Sequence, residues 1–136
     1  MSDTKKILEK EVKGLCDYLN KIATGNVYRC CDEERFKTAR CPHCGQIMEL
    51  YDMRDYLYSE DIYDTEYTID NNGEYKSTKM WTALGGPTVW LDTATSIGAA
   101  KGAWGSDEAF SALSAEAIEA IDRVAANMYS ELKQCA

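Results

Sequence analysis

The sequence predicts an α+β fold, with helices at the N- and C-terminal ends and an antiparallel β-meander of about four strands between them. Apolar residues recur at helical steps near both termini, they alternate with polar residues in the middle, and glycine, proline and asparagine punctuate the alternating stretch. At 136 residues the chain reads as a single domain, 1–136, because roughly 100 to 150 residues is the commonest domain size.

The first helix is expected from about Asp3 to Thr24. Leu8, Val12, Leu15, Leu19 and Ile22 step by four and three and make one apolar stripe. Asp3 or Thr4 can cap its start and Gly25 can end it in the left-handed conformation. Cys16 lies beside the stripe and reads as a small buried hydrophobe. Gln46 to Ser59 carries Ile47, Leu50, Met53 and Leu57 at helical spacing and predicts a second helix.

Strand behaviour begins at Ile62. Tyr63, Thr65, Tyr67 and Ile69 share one face of Ile62 to Ile69, and Asp64, Glu66 and Thr68 share the other. Asp70-Asn71-Asn72-Gly73 supplies residues that tolerate positive φ, so a hairpin turn follows. Glu74 to Leu84 is the returning strand, and Gly85-Gly86-Pro87 interrupts it, because proline cannot donate to a sheet ladder. Thr88 to Thr93 and Ile97 to Trp104 are the remaining strands. The glycines and alanines of the latter suit close packing beneath a helix or large aromatics. The last helix, about Ala115 to Lys133, follows a Ser114 cap, with Leu113 and Ile118 spaced as a hydrophobic staple and Ile118, Ile121, Ala125, Met128 and Leu132 as its stripe.

Four cysteines and the chain's one histidine fall between Cys30 and Gly45. In a reducing compartment such density points to metal or redox chemistry ahead of a structural disulfide. Cys41-Pro42-His43-Cys44-Gly45 is a tight turn that can aim two thiolates at one ion, and Zn²⁺ takes four such ligands tetrahedrally. The expected ligands are Cys30, Cys31, Cys41 and Cys44. Neighbours in an extended chain point to opposite sides, so Cys30 and Cys31 can share an ion only if the chain turns there, with His43 as the alternative ligand. This adds a zinc knuckle to the fold class, a cysteine-rich segment 26–45 inserted after the first helix. Arg29, Lys37 and Arg40 are expected to surround it, because two to four thiolates on one Zn²⁺ leave zero or negative charge.

The net charge of −8 is unevenly placed: up to Tyr51 nine Lys/Arg face eight Asp/Glu, and from Asp52 on six face fifteen. That balance argues against direct nucleic-acid binding, which needs clustered cations. A basic protein would be attracted instead. Carboxylates and tyrosines interleave after Asp52, so Glu60, Asp61, Tyr63, Asp64, Glu66, Tyr67, Asp70 and Glu74 are the expected partner-binding face. No apolar run approaches the ~20 residues that cross a bilayer, and the polar start lacks a secretory signal, so a cytoplasm is expected and a membrane is not. GxxxxGK[ST], GxGxxG and GxSxG are absent from the sequence, and one histidine limits general-base options, so the expected function is binding without turnover.

Two resemblances bear on function. Cys41-Pro42-His43-Cys44 is identical to the motif of thioredoxin-superfamily disulfide oxidants, and Gly86-Pro87-Thr88-Val89 resembles that superfamily's cis-proline followed by a strand. This implies a thiol–disulfide oxidoreductase with Cys41 as nucleophile and Cys44 as resolving thiol. The stretch before Cys41 lacks the buried strand of that fold, and Asn71-Asn72-Gly73 reads as a hairpin where the fold needs a crossover helix. Separately, Glu66-Tyr67, Gly73-Glu74-Tyr75, Gly85-Gly86-Pro87, Asp92-Thr93, Trp104-Gly105 and Ala120-Ile121-Asp122 resemble small acidic proteins of phages and integrative elements of Gram-positive bacteria. The whole profile is similar to anti-CRISPR proteins. That resemblance implies a counter-defence inhibitor in the bacterial host cytoplasm, binding a type II RNA-guided nuclease, or another basic nucleic-acid enzyme, stoichiometrically and blocking nucleic-acid loading. A zinc module of some other regulatory assembly is the third reading.

Overall fold

The computed structural model describes residues 3–94 and 98–135. Helix α1 runs Asp3–Ala23 and buries Leu8, Val12, Cys16, Leu19 and Ile22. Leu15 of the expected stripe is half-buried, and Cys16 takes its place, its thiol donating to the Ala112 carbonyl at 3.2 Å. Gly25, at φ 75°, ends the helix, with the Asn26 N–H closing back on the Lys21 carbonyl at 2.9 Å.

Next come β1 (Tyr28–Cys30), β2 (Glu33–Arg35) and β3 (Glu49–Leu50), a small antiparallel sheet in the order β2-β1-β3. The helix expected over Gln46 to Ser59 shrinks to α2, Met53–Leu57. Two causes are visible. Asp52 and Asp55 form a reciprocal capping box that starts the helix only there. Upstream, the Gln46 carbonyl and Met48 N–H are engaged in a hairpin, with Cys41 and Ala39 respectively, so Ile47 and Leu50 stay exposed.

The main sheet holds β4 (Asp64–Ile69), β5 (Tyr75–Ala83), β6 (Thr88–Asp92), β7 (Ala99–Trp104) and β8 (Asp107–Ala112), antiparallel throughout and ordered as in the chain. The Asp70 carboxylate accepts the N–H groups of Asn72 and Glu74, and Gly73 sits at φ 78°, so the expected hairpin turn is present. The expected Ile97 start of the fourth strand lies outside the described residues. A fifth strand, β8, exceeds the expected meander of about four. It follows a two-residue turn at Gly105 (φ 61°), and its apolar Phe110 points outward, which inverts the usual strand signal.

Helix α3 spans Ala115–Cys135. The Ser114 hydroxyl accepts the Ala117 N–H at 3.1 Å, and the Ser114 N–H donates to the Asn20 side chain at 3.0 Å, so the cap also fastens α3 to α1. Ala117, Ile121 and Ala125 are its buried line, and Leu132 of the expected stripe is exposed.

Both long helices cover one face of the main sheet. Met80, Val89, Leu91 and Ala100 pack against Leu8, Val12, Ile121 and Ala125 in a single core. Gly102 is the point of closest approach: a Cβ there would meet Val12 at 2.6 Å and Leu8 at 2.7 Å. Glycine therefore lets α1 sit down on β7, as the small-residue run suggests. Alternation along the strands sends Trp81, Trp90, Lys101 and Phe110 to the opposite face.

Candidate metal centre

Four sulfurs converge from two turns. Cys30 ends β1 and pairs with Glu33, so Cys31 and Asp32 form a two-residue turn, with Cys31 at φ 55°. This is the turn that an adjacent cysteine pair needs if both thiols are to face one ion. A left-handed conformation costs a residue with a Cβ about 1–2 kcal/mol, a cost that a bond from its sulfur can offset.

The second arm is the knuckle. Arg40 bridges to Ile47, the Cys41 N–H donates to the Gln46 carbonyl at 2.8 Å, and the Gly45 N–H donates to the Cys41 carbonyl at 2.8 Å. Gly45, at φ 74°, supplies the backbone conformation that returns the chain. Arg40 steadies the bend by donating to the Gly45 carbonyl at 2.9 Å.

The Sγ atoms of Cys30, Cys31, Cys41 and Cys44 all lie within 4.8 Å of one another, and Cys30 and Cys44 approach to 3.5 Å. A tetrahedral ion with sulfur ligands at about 2.3 Å sets sulfur–sulfur edges of about 3.8 Å, so a shift of about 1 Å completes the geometry. The donor set fits a thiophilic metal. Cys41 is the buried member, while Cys31 and Cys44 are exposed.

The thiols do not hold their protons equally. The backbone N–H of Cys44, with that of His43 beside it, points at the Cys41 sulfur and draws its pKa down to about 7. Cys30 goes the other way, up to about 12, first through its hydrogen bond with Cys44 and then through desolvation. The site thus presents one readily ionised thiol as a first ligand, and a metal held there can displace the protons of the other three thiols. Four protein ligands fill a tetrahedral shell and leave no place for water or substrate.

His43 is outside the sulfur group. Its Nε2 lies 3.2 Å from the Glu33 carboxylate, and the four-sulfur set is complete without it. Arg29, expected beside the sulfurs, turns instead toward α1. It donates to Glu34 at 2.6 Å and to the Tyr18 hydroxyl at 2.9 Å, and its guanidinium lies 4.0 Å over the Tyr51 ring. The Tyr18 hydroxyl in turn donates to Glu34 at 2.7 Å. This network, which sequence reasoning missed, fastens the small sheet to the body. Its sequence signal is faint, because the three polar partners come from separate elements.

The residues expected to form the anionic face divide between opposite sides. Asp64 and Glu66 are exposed on the outer side of β4, with Glu60, Asp61 and the exposed Tyr63 just before them. Tyr67 points the other way, into a cluster with Tyr75 and Tyr129. Asp70 is occupied in its turn, with Glu74 at the turn's end. Tyr56 is buried, and the Tyr75 hydroxyl donates to Asp122 on α3, so the tyrosine interleaving is in large part core packing. Trp81, Trp90 and Phe110 on the outer sheet face were also missed. Their signal was available, since they sit one residue out of phase with the buried Met80 and Leu91 and the half-buried Ala109 of their strands.

Cys41 opens a turn and not a helix, and Gly86-Pro87 joins two antiparallel strands with no crossover helix between them. Among the described residues no helix is long and apolar enough to cross a membrane. Comparison of the chain with protein-family models, with curated proteins and with solved structures finds no match.

Proposed function

We propose that this is a zinc-braced binding protein that acts by stoichiometric contact, without turnover, on a basic nucleic-acid enzyme in a bacterial host cytoplasm. The observation that carries the reading is the closed set of four cysteine sulfurs. An all-thiolate tetrahedral donor set suits Zn²⁺, and an ion so enclosed holds structure instead of activating water. Activity then belongs to the surface, where the acidic surplus after Asp52 favours a cationic partner.

Within that class, the resemblance to anti-CRISPR proteins of mobile elements selects a type II RNA-guided nuclease, whose positively charged channel holds guide and target strands. Asp61, Asp64 and Glu66 would compete there with nucleic-acid phosphates.

Two measurements test the reading. Native mass spectrometry should find one Zn²⁺ per chain. The protein should then inhibit DNA cleavage by such a nuclease at a one-to-one ratio, with inhibition weakened and made less salt-sensitive when Asp61, Asp64 and Glu66 are all changed to Lys. A metal-free protein, or inhibition unchanged by the triple variant, overturns it. The lowered Cys41 thiol also suits the thiol–disulfide reading. Insulin-reduction turnover that disappears in Cys41→Ser would establish that alternative.

A further inference from the structure

The outer face of the main sheet carries a transverse row that the metal centre does not touch. Asp64 pairs with Trp81, Trp81 with Trp90, Trp90 with Lys101, and Lys101 with Phe110, so five strands present these side chains side by side on the face away from α1 and α3. Phe110 is 68% exposed, and the two tryptophans are half-buried. Beside Phe110, at the β8 edge, a groove of about 710 Å³ runs from this face to α1, between Trp90, Lys101, Glu108 and Phe110 on the sheet and Lys5 and Glu9 on the helix. Toward Asp92 and Ala99, both buried, the face is closed over.

An aromatic row at a surface marks a contact site when its rim is polar. Here the rim is acidic. Asp64 and Glu66 stand at the β4 end and Glu108 at the β8 end, all exposed, and none has an ion pair among the described residues. Lys101, the cation within the row, is held by Asp92 at 3.3 Å. Lys79 lies opposite Glu66 and Asp92, and Lys5, which donates to the Glu108 carbonyl at 2.7 Å, is offset by Glu9 beside it, so the face keeps two carboxylates in surplus.

Tryptophan faces flanked by carboxylates that hold no cation match one side chain best. Arginine stacks its planar guanidinium on aromatic rings and takes carboxylates in bidentate pairs, whereas lysine is a strongly hydrated point charge. The same carboxylates repel the phosphates of a nucleic acid. We infer that the outer sheet face, built on Trp81, Trp90 and Phe110 and rimmed by Asp64, Glu66 and Glu108, docks an arginine-rich segment of a protein partner. The inference rests on the contact reading above and names the surface and the chemistry that read the partner.

The test uses the full metal-loaded chain and octa-arginine as probe, followed by tryptophan fluorescence, with octa-lysine and oligothymidylate in parallel. Octa-arginine should bind saturably and at least tenfold more tightly than octa-lysine. Phe110→Ala, at an exposed position that the core does not use, should weaken it about tenfold. Trp90→Ala should do so too, with Trp90→Phe restoring most of the loss. Asp64→Lys with Glu66→Lys should abolish the preference for arginine. Equal affinity for the two peptides, binding of oligothymidylate, self-association that covers the face, or binding indifferent to Phe110→Ala and Trp90→Ala overturns the inference. The peptide assay involves no nuclease, so the face can be established even if nuclease inhibition fails. Conversely, a nuclease inhibited equally well by Phe110→Ala and Trp90→Ala protein leaves the contact reading standing and removes this face.

Discussion

The small sheet around the cysteines and the helix-covered main sheet are two solutions to one problem in the same chain. The body buries Leu8, Leu19, Leu57, Met80, Leu91 and Ile121 completely or almost so. From Val27 to Leu50, by contrast, Val27, Cys41 and Met48 are the buried apolar residues. At roughly 25 cal/mol per Å² of apolar burial, so few side chains cannot offset about 1–2 kcal/mol of backbone ordering per residue. The body is thus held by the hydrophobic effect, while the cysteine module has the Arg29–Glu34–Tyr18 network to tie it down and four sulfurs placed where a metal ion could brace it.

Metal removal should separate the two regions most sharply. Structural zinc contributes on the order of 10 kcal/mol in finger peptides. A chelator, or Cys41→Ser, should therefore strip hydrogen-exchange protection from residues 28–50 and leave α1, β7 and α3 protected. Simultaneous loss of protection everywhere would show that the regions are one cooperative unit. The converse substitution is Leu91→Ala, at the centre of the main sheet. Cavity formation there should cost about 2–5 kcal/mol of global stability in a denaturant titration, with metal stoichiometry unchanged.

Smaller effects should appear at the seams. Tyr18→Phe removes the hydroxyl that links Arg29 and Glu34, and leaving those partners under-satisfied should cost about 1–2 kcal/mol. The expected signature is earlier exchange in β1 and β2 than in the body. Ser114→Ala deletes the α3 cap and should lower stability by about 1 kcal/mol, read as a uniform shift of the thermal midpoint. The last effect is absent at neutral pH. Burial raises the phenol pKa of Tyr56, and burial with the Asp122 hydrogen bond raises that of Tyr75. A raised folded-state pKa contributes stability that is intact below the unfolded value of about 10 and is lost as pH climbs above it. Unfolding measured from neutral pH into that alkaline range should therefore show falling stability, less steeply in Tyr75→Phe. A flat profile would place these rings in water.

Much of this contrast was legible in the residues. The spacing of Leu8, Val12, Leu19 and Ile22 put α1 where it is, because a period near 3.6 survives any packing arrangement that buries one face. Asp70 to Gly73 gave away the β4–β5 hairpin through local backbone chemistry alone. The knuckle cysteines were equally plain. Ile47 and Leu50 misled, since helical spacing over a short segment carries no information about the hydrogen bonds of Gln46 and Met48. Tyr67 misled differently. Alternation placed it correctly opposite Asp64 and Glu66, but which side faced α3 was not a local property.

Where backbone segments repeat, turn and stop, and which atoms are soft enough to hold a metal, can be read from the residues alone, because those depend on neighbours a few bonds apart. It took the folded chain to bring Cys30 and Cys31 together onto the 41–44 turn, to leave His43 outside them, and to line up two tryptophans and a phenylalanine on the uncovered side of the sheet. Each of those outcomes sums over strand register, sheet twist and helix placement, which bring together residues far apart in the chain and leave no mark in any short stretch of it.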